Sequence, residues 1–555
     1  MNETFNEAVE KTIKKKKVHA DYEMNISPTT LHFIKILKGL REVRQWARRY
    51  NTNGRNNAVI RLLSNKINNL AKIVKDRIRL DRQAAFISKC NKIRPGPAMF
   101  RQIKQVSGYK RFQKIPEELP INNVVSTDRA AHVEAFADYF ENTYDAAINR
   151  QNQDQRRILE QELLREFGNF SPAIQFTNNE LACLDEGIHN EDLFISTDTV
   201  ISYAAKINNK TSHGIDSIPN YLLKRCPFIF YQQVGILINN MSNTGFTPEK
   251  WKMAMMTPIH KAGKSKDDIR YYRPISLLPN LSKLWERTML ERLEHFMENN
   301  GLNKENQFGF TKGLSTQHAL TIMGSKIASS INKKIPIIAA SLDLEKCYDS
   351  VCPLLLTKKL KNSEFSHHWT RTIFNFLRHR KFAVKIGDNI STTRTARTGL
   401  PQGSVVAPGL FKFFSHDLPQ PDQSRGMSSL SFADDHIVLA ASRPLEAAAS
   451  LSAFLDEIHE YYETNGISCN KEKSNVIIFT GVLNRLPRLT RKEVKEAVVR
   501  MDGQPLARTN QIKYLGVILN VKYSFVKHIQ QAISKAASVT GIMKGILARK
   551  ALLWG

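Results

Sequence analysis

The sequence predicts an α+β fold preceded by a basic helical N-terminal region. Three observations lead there. Apolar residues recur at three- and four-residue intervals from Val59 to Ile78, the spacing of one helix face. From Trp251 onward, short β-branched runs alternate with helical patterns, punctuated by Gly and Pro. The chain has 555 residues, enough at ~100–200 per domain for about three or four packed units.

Composition narrows the function before any motif is read. Lys and Arg exceed Asp and Glu by 81 to 52, and a formal charge of +29 asks for a polyanionic partner, nucleic acid first. No apolar run approaches the ~18 residues of a membrane helix, so no membrane partner is expected. Met1-Asn-Glu-Thr-Phe leads into charged residues instead of an apolar stretch, so an intracellular protein is expected, with nucleus or cytoplasm open. The six cysteines (Cys90, Cys183, Cys226, Cys347, Cys352, Cys469) contain no C-x-x-C, which argues against a disulfide framework and a zinc ribbon.

Charge changes sign along the chain. Residues 1–120 carry a net +17, residues 121–200 a net −10, and the remainder +22, which marks different surfaces. In the first segment Val59, Leu63, Ile67, Leu70, Val74 and Ile78 form the apolar stripe. Arg61, Lys66, Lys72, Lys75, Arg77 and Arg79 occupy the other faces, either tracking phosphates or simply solvated. The Lys14–Lys17 run reads as a disordered tail before a nuclear address or a phosphate contact. Gln151 to Asn190 is polar and acidic and reads as helix plus linker. No internal repeat stands out.

The chemistry lies further on. Ile335 to Asp343 reads as a buried strand ending in a carboxylate. Gly399-Leu-Pro-Gln-Gly-Ser404 sets a rigid Pro between two permissive glycines, where backbone can approach a ligand. Met427–Phe432, then Ala433-Asp434-Asp435-His436, then Ile437–Ala440 reads as a β-hairpin with two aspartates at its tip. Phe454, Leu455, Ile458 and Tyr461 follow helical spacing and are expected in the core, before a strand at Val476–Phe479. Two hard cations about 3.5–4 Å apart can clamp the attacking and leaving oxygens of a phosphoryl transfer. Mg²⁺ needs only a few protein carboxylates beside water and substrate phosphates. Asp343, Asp434 and Asp435 could supply them, although an isolated Asp-Asp pair more often caps a turn. His318 and His367-His368 have no Cys or His at ligand spacing and read as ordinary hydrogen-bonded histidines.

In order, the chain shows Lys210-Thr-Ser-His-Gly-Ile-Asp216, Tyr272-Arg-Pro-Ile-Ser-Leu-Leu278, Gln307-Phe-Gly-Phe310, Asp343 with Tyr348-Asp349, Leu400-Pro-Gln-Gly-Ser404, Phe432-Ala-Asp-Asp435, Asn470-Lys-Glu-Lys473 and Tyr514-Leu-Gly516. This series resembles that of non-LTR retrotransposon reverse transcriptases, closest to the jockey-like arthropod elements, over residues ~200–520. The resemblance implies a right-hand polymerase fold of fingers, palm with antiparallel sheet, and partial thumb. It divides the chain into an N-terminal region and linker (1–190), fingers elements (191–330), a reverse transcriptase domain (251–520) and a truncated thumb (521–555). Residues 1–190 are too short and too basic for the endonuclease that the family carries upstream.

The implied activity is RNA-directed DNA synthesis from a 3′-hydroxyl primer, with an RNA template, a DNA primer, dNTPs and two Mg²⁺ ions. By the same resemblance Asp343, Asp434 and Asp435 are the metal carboxylates. Tyr348 is the aromatic sugar gate, and Leu400–Gly403 shapes the nascent base-pair pocket, with Gln402 facing substrate or template and Gly403 beside it. Arg273 grips the triphosphate, with Lys261 or Lys264 as companion, a choice the sequence leaves open. Lys473 protonates or neutralises departing pyrophosphate. Tyr514, Leu515 and Gly516 form the primer grip. Thr211–Asp216 and Gln307–Phe310 are finger elements supporting the template. An inactive nucleic-acid-binding remnant of such an element is the alternative, and a maturase or telomerase relative a third reading. Oligomeric state is left open.

Overall fold

The computed structural model describes residues 27–49, 57–91, 115–121, 124–150, 152–168, 195–208, 212–261 and 263–552. Backbone contacts divide the chain into two compact units, one of Glu7–Phe112 with Ile546–Gly555, the other of Met1–Asn6 with Gln113–Gly545.

Among its described residues the smaller unit includes α1 (Pro28–Arg49) and α2 (Asn57–Asn91), packed on each other. The sequence-predicted stripe is its core: Ile67 and Val74 are buried with Leu37 of α1, and Leu70 and Ile78 pack against them. Ser27, just before α1, donates its N–H and hydroxyl to Asp81 Oδ2 at 2.8 and 2.9 Å, tying the start of α1 to α2. Arg61, Lys66, Lys72 and Lys75 are exposed, while the Arg77 guanidinium lies 5.2 Å from the centre of the Phe33 ring. The Lys14–Lys17 run lies outside the described residues.

In the larger unit, α3 (Arg129–Asn149) explains the acidic stretch. Val133, Phe136, Phe140 and Tyr144 bury one face. Glu134, Asp138, Glu141 and Asp145, on another face, meet two arginines: Arg394 lies 3.0, 2.7 and 3.3 Å from the first three, and Arg397 2.8 Å from Asp145. The acidity is therefore a docking face. The helix expected after Gln151 spans Gln153–Phe167, and residues 169–194 lie outside the described residues.

One sheet contains β1 (Met253–His260), β2 (Tyr272–Leu277), β4 (Arg380–Ile386) and β5 (Arg394–Ala396); β1 pairs antiparallel with β2 and parallel with β4. Helix α4 (Ser282–Asn299) follows β2. The other sheet runs β6-β7-β3-β8-β9, from β3 (Ile337–Leu342), β6 (Met427–Phe432), β7 (Asp435–Ala441), β8 (Asn475–Phe479) and β9 (Ala507–Arg508). Its first four strands are antiparallel, as expected, but β9 joins β8 in parallel, so the sheet as a whole is mixed.

Strand β3 is apolar at nearly every position because both its faces are covered. Ile338, Ala340 and Leu342 share a core with Leu451, Phe454, Leu455 and Ile458 of α5 (Pro444–Thr464). Ile337 and Ala339 share another with Ala319, Met323 and Ile327 of the helix Thr316–Asn332. Tyr461, expected in the core, is only partly buried; its hydroxyl donates to Asp417 Oδ1 at 2.6 Å.

Candidate active site

Strand register brings the aspartates together. His436 pairs with Leu342 in the antiparallel β7–β3 ladder, so one step further Asp435 stands across from Asp343. Such opposite residues have Cβ atoms ~4.5–5.5 Å apart. Asp434 occupies the two-residue loop between β6 and β7, whose closing pair is Phe432 with Asp435. Asp343, Asp434 and Asp435 are all exposed, so the hairpin tip is open to a ligand.

The backbone of Asp343 is held on its other side by the Asn470–Ser474 turn. Asn470 N–H donates to Asp343 O at 2.8 Å, and Asp343 N–H donates to Ser474 Oγ at 3.1 Å. That turn delivers Lys473, whose Nζ is 4.0 Å from Asp343 Oδ2. Partial burial pushes the Asp343 carboxyl above its usual range against the pull of Lys473, and Glu345 and Asp434 push the same way. Asp435 is raised by burial, then by Asp434 and Asp343. Asp434 thus acts as a like charge on both Asp343 and Asp435. Among the described residues, no three His, Cys, Asp or Glu side chains already stand together as a metal cage. Asp343 and Asp435 are nonetheless opposed hard-oxygen donors, and that donor type suits a divalent cation.

Cations face these acids from the β1–β2 hairpin. Arg273 pairs with Ile259, and Lys261 N–H donates to Tyr271 O at 2.7 Å, which sets Lys261 and Arg273 diagonally on one face. Partial burial pulls the Lys261 ammonium below its usual range, helped by Arg273 and Lys346 and opposed by Asp349. Lys264 is exposed, its Nζ 5.5 Å from the centre of the Tyr271 ring. Only Lys261 shares the electrostatic neighbourhood of Arg273 and Lys473.

The Leu400–Ser404 loop is clamped at several points. Ser276 N–H on β2 donates to Gln402 O at 2.7 Å. Gly403 has φ of +137°, and a Cβ there would meet Ser276 O at 2.3 Å, so no other residue fits. Gln402 Nε2 donates to Asp349 Oδ1 at 2.8 Å. Burial pushes the Asp349 carboxyl up to about 6, against Gln402, Lys346 and Arg380. From α4, the wholly buried Glu286 accepts from Ser404 Oγ and Val405 N–H, both at 2.6 Å, and from Ser282 Oγ at 3.0 Å. Tyr348 stacks on Phe411, centroids 4.9 Å apart and planes 16° from parallel, and Leu400 N–H donates to Tyr348 O at 2.7 Å.

Two further motifs pack against the acidic hairpin. Gln307–Phe310 lies against the acidic hairpin: Phe308 N–H donates to Ser431 O at 2.8 Å. Tyr514 ends β10 (Gln511–Tyr514), which Leu515 and Gly516 connect to β11 (Val517–Asn520). Its ring is buried, and its hydroxyl donates to Leu430 O on β6 at 3.4 Å, so Tyr514 braces the sheet behind the aspartates. The backbone carbonyls of Ser212, within the first motif, and Ile218, just after it, accept from Asn280 Nδ2 at 2.9 and 2.8 Å. Asp349 and Glu286 are site-shaping residues to which the sequence assigned no role. Asp349 stands within a quoted motif, and Glu286 stands in none.

Residues 259–519 match the family described as reverse transcriptase (RNA-dependent DNA polymerase). A probable RNA-directed DNA polymerase from transposon X-element of Drosophila melanogaster is 34% identical over 325 residues, covering 58% of this chain and 35% of that protein. The RNA-directed DNA polymerase from mobile element jockey of the same organism is 29% identical over 342 residues, 60% of this chain and 36% of its own length. The chain thus spans about a third of the length of these curated relatives. Among solved structures, apo telomerase from Candida Tropicalis, truncated from its C-terminal domain, is similar at a TM-score of 0.34 and 12% identity, over 50% of this chain and 55% of that one, too slight a likeness to argue from.

Proposed function

We propose that this chain, whose residues 259–519 form a reverse transcriptase domain like those of jockey-type non-LTR retrotransposons, is an RNA-directed DNA polymerase that extends a primer 3′-hydroxyl with dNTPs. One observation carries the reading: Asp343 and Asp435 oppose each other at a strand end, with Lys261, Arg273 and Lys473 grouped about them. Acids for cations and cations for a triphosphate are what nucleotidyl transfer needs. On this reading the sheet of β1, β2 and β4 belongs to the fingers, the sheet around β3 is the palm, residues 521–555 belong to the thumb, and the basic helical region precedes them.

Asp343, Asp434 and Asp435 would hold magnesium, two ions in the usual scheme, supplying charge neutralisation at the attacking and leaving oxygens. Arg273 and Lys261 bind and orient the triphosphate, the first as a planar fork and the second as a point charge. Tyr348, backed by Phe411, fills the space a 2′-hydroxyl would need. Gln402, tethered by Asp349, lines the pocket for the nascent pair, and Gly403 lets the loop backbone come close. Lys473 donates a proton, or its charge, to departing pyrophosphate. The RNA template and DNA primer lie along the basic surface, with Tyr514–Gly516 near the primer terminus.

The test is Mg²⁺-dependent extension of oligo(dT) on poly(rA), with an Asp434→Asn/Asp435→Asn chain as control. Extension by the intact chain alone supports the polymerase. A folded intact chain that binds RNA in a salt-sensitive way but extends nothing is the inactive remnant instead. The lysines separate in the same assay. Lys261→Ala is expected to raise KM for dTTP about tenfold or more, the worth of a charge-assisted contact. Lys264→Ala is expected to stay within about twofold, since exposed cation–ring contacts contribute little. Steady-state kinetics read both, and equal effects would return the assignment to either lysine.

A further inference from the structure

The hairpin that carries Asp434 and Asp435 turns through an unfavourable residue. A two-residue β-hairpin loop needs positive φ at its first position, which is why Gly, Asn or Asp usually stand there. This chain places Ala433 there with φ of +59°. The left-handed region costs an alanine free energy that surrounding structure must supply.

The supply comes from Gln307. Its Oε1 accepts from Ala433 N–H at 3.2 Å and from Gly309 N–H at 3.0 Å, bridging its own segment to the loop. The segment is fastened on both sides of that bridge. Ser431 N–H donates to Asn306 O at 2.8 Å, Phe308 N–H donates to Ser431 O at 2.8 Å, and Thr311 Oγ1 donates to Gln307 O at 2.9 Å. At Gly309 the two backbones nearly touch: a Cβ would lie 2.2 Å from Ala433 N and 2.9 Å from Phe432 C. Main chain is the obstacle, so no rotamer change could make room. Glycine at 309 therefore lets the segment approach, and the glutamine amide uses that approach to hold the loop N–H.

We infer that Gln307 is a positioning residue of the catalytic hairpin: by accepting from Ala433 N–H it holds the loop in its left-handed form and so aims Asp434 and Asp435. It touches neither substrate nor reacting atoms. The inference deepens the polymerase reading and rests on it for the meaning of the hairpin. It gives the Gln307-Phe-Gly-Phe310 motif a role at the acidic tip.

A double-mutant cycle tests it. Gln307→Met keeps side-chain length and removes the acceptor, and Ala433→Gly removes the backbone penalty that the acceptor offsets. In the Ala433 background, Gln307→Met is expected to lower kcat for dTTP incorporation about tenfold with KM within about twofold. Mn²⁺ affinity, read by electron paramagnetic resonance without nucleotide, is expected to weaken by a similar factor. In the Ala433→Gly background the same substitution is expected to cost less than about threefold in both readouts, because glycine takes up the turn unaided. Amide hydrogen exchange across 431–436 is expected to quicken in Gln307→Met. Where Gln307→Met does not fold, Gln307→Asn, with its amide withdrawn by one methylene, replaces it in the cycle. Equal penalties in the two backgrounds, or Mn²⁺ affinity and exchange both unmoved, overturn the inference. Should every chain including the wild type fail to extend primers while the Mn²⁺ cycle holds, the polymerase reading falls and the positioning role stands.

Discussion

Replacing Asp435 with asparagine is expected to lower primer extension by about a thousandfold and, without divalent metal, to raise the melting temperature. The two effects share one cause. Partial desolvation, Asp434 and Asp343 together hold the Asp435 carboxyl above its usual range, so ionised Asp435 is a source of self-repulsion in the metal-free fold. Asparagine keeps the shape and removes the charge. Added Mg²⁺ should reverse the order, because a cation that binds only the folded wild type stabilises it by mass action. Thermal melts with and without Mg²⁺, run beside the extension assay, check both halves. A variant less stable than wild type without metal, or equally stabilised by Mg²⁺, would show that Asp435 is a packing residue and no ligand.

Much of this arrangement was legible because its cause is local. Ile335 to Asp343 reads as a buried strand from its short apolar run ending in a carboxylate, and the strand found there is Ile337–Leu342. The hairpin is legible because two short apolar runs flank an acidic pair with no room for a longer loop. Contacts that join distant segments carry no periodic signal. Gln402 reaches Asp349 across 53 positions and Ser404 reaches Glu286 across 118. The net −10 of residues 121–200 marked a different surface without showing its partner, because the arginines that meet α3, Arg394 and Arg397, lie some 250 positions away. Lys261 and Lys264 share one sequence environment; partial burial beside Arg273, a property of the folded hairpin, separates them.

The second large effect concerns Glu286, which no motif assigns and which touches no ligand. Glu286→Leu is expected to destabilise the fold by about 3–5 kcal/mol, read from urea unfolding midpoints, because it strands buried donors. Ser404 Oγ and Val405 N–H both aim at Oε2 of wholly buried Glu286, and Ser404 is itself buried. Glu286→Gln should cost far less. Its amide oxygen can take the place of Oε2 under both donors. Its amide nitrogen then faces Ser282 Oγ, which stands 2.8 Å from Pro279 O and can donate there while accepting from the amide. Burial already favours the neutral form of Glu286, so the amide mimics a state the site accommodates. The two substitutions separate charge from hydrogen bonding at one buried position. Loss of stability in both would mean that the negative charge itself holds the loop, through Lys283. Loss in the leucine variant alone, together with loss of extension, would mean that the Pro401–Ser404 backbone owes its place to an acceptor on α4 and that any acceptor suffices.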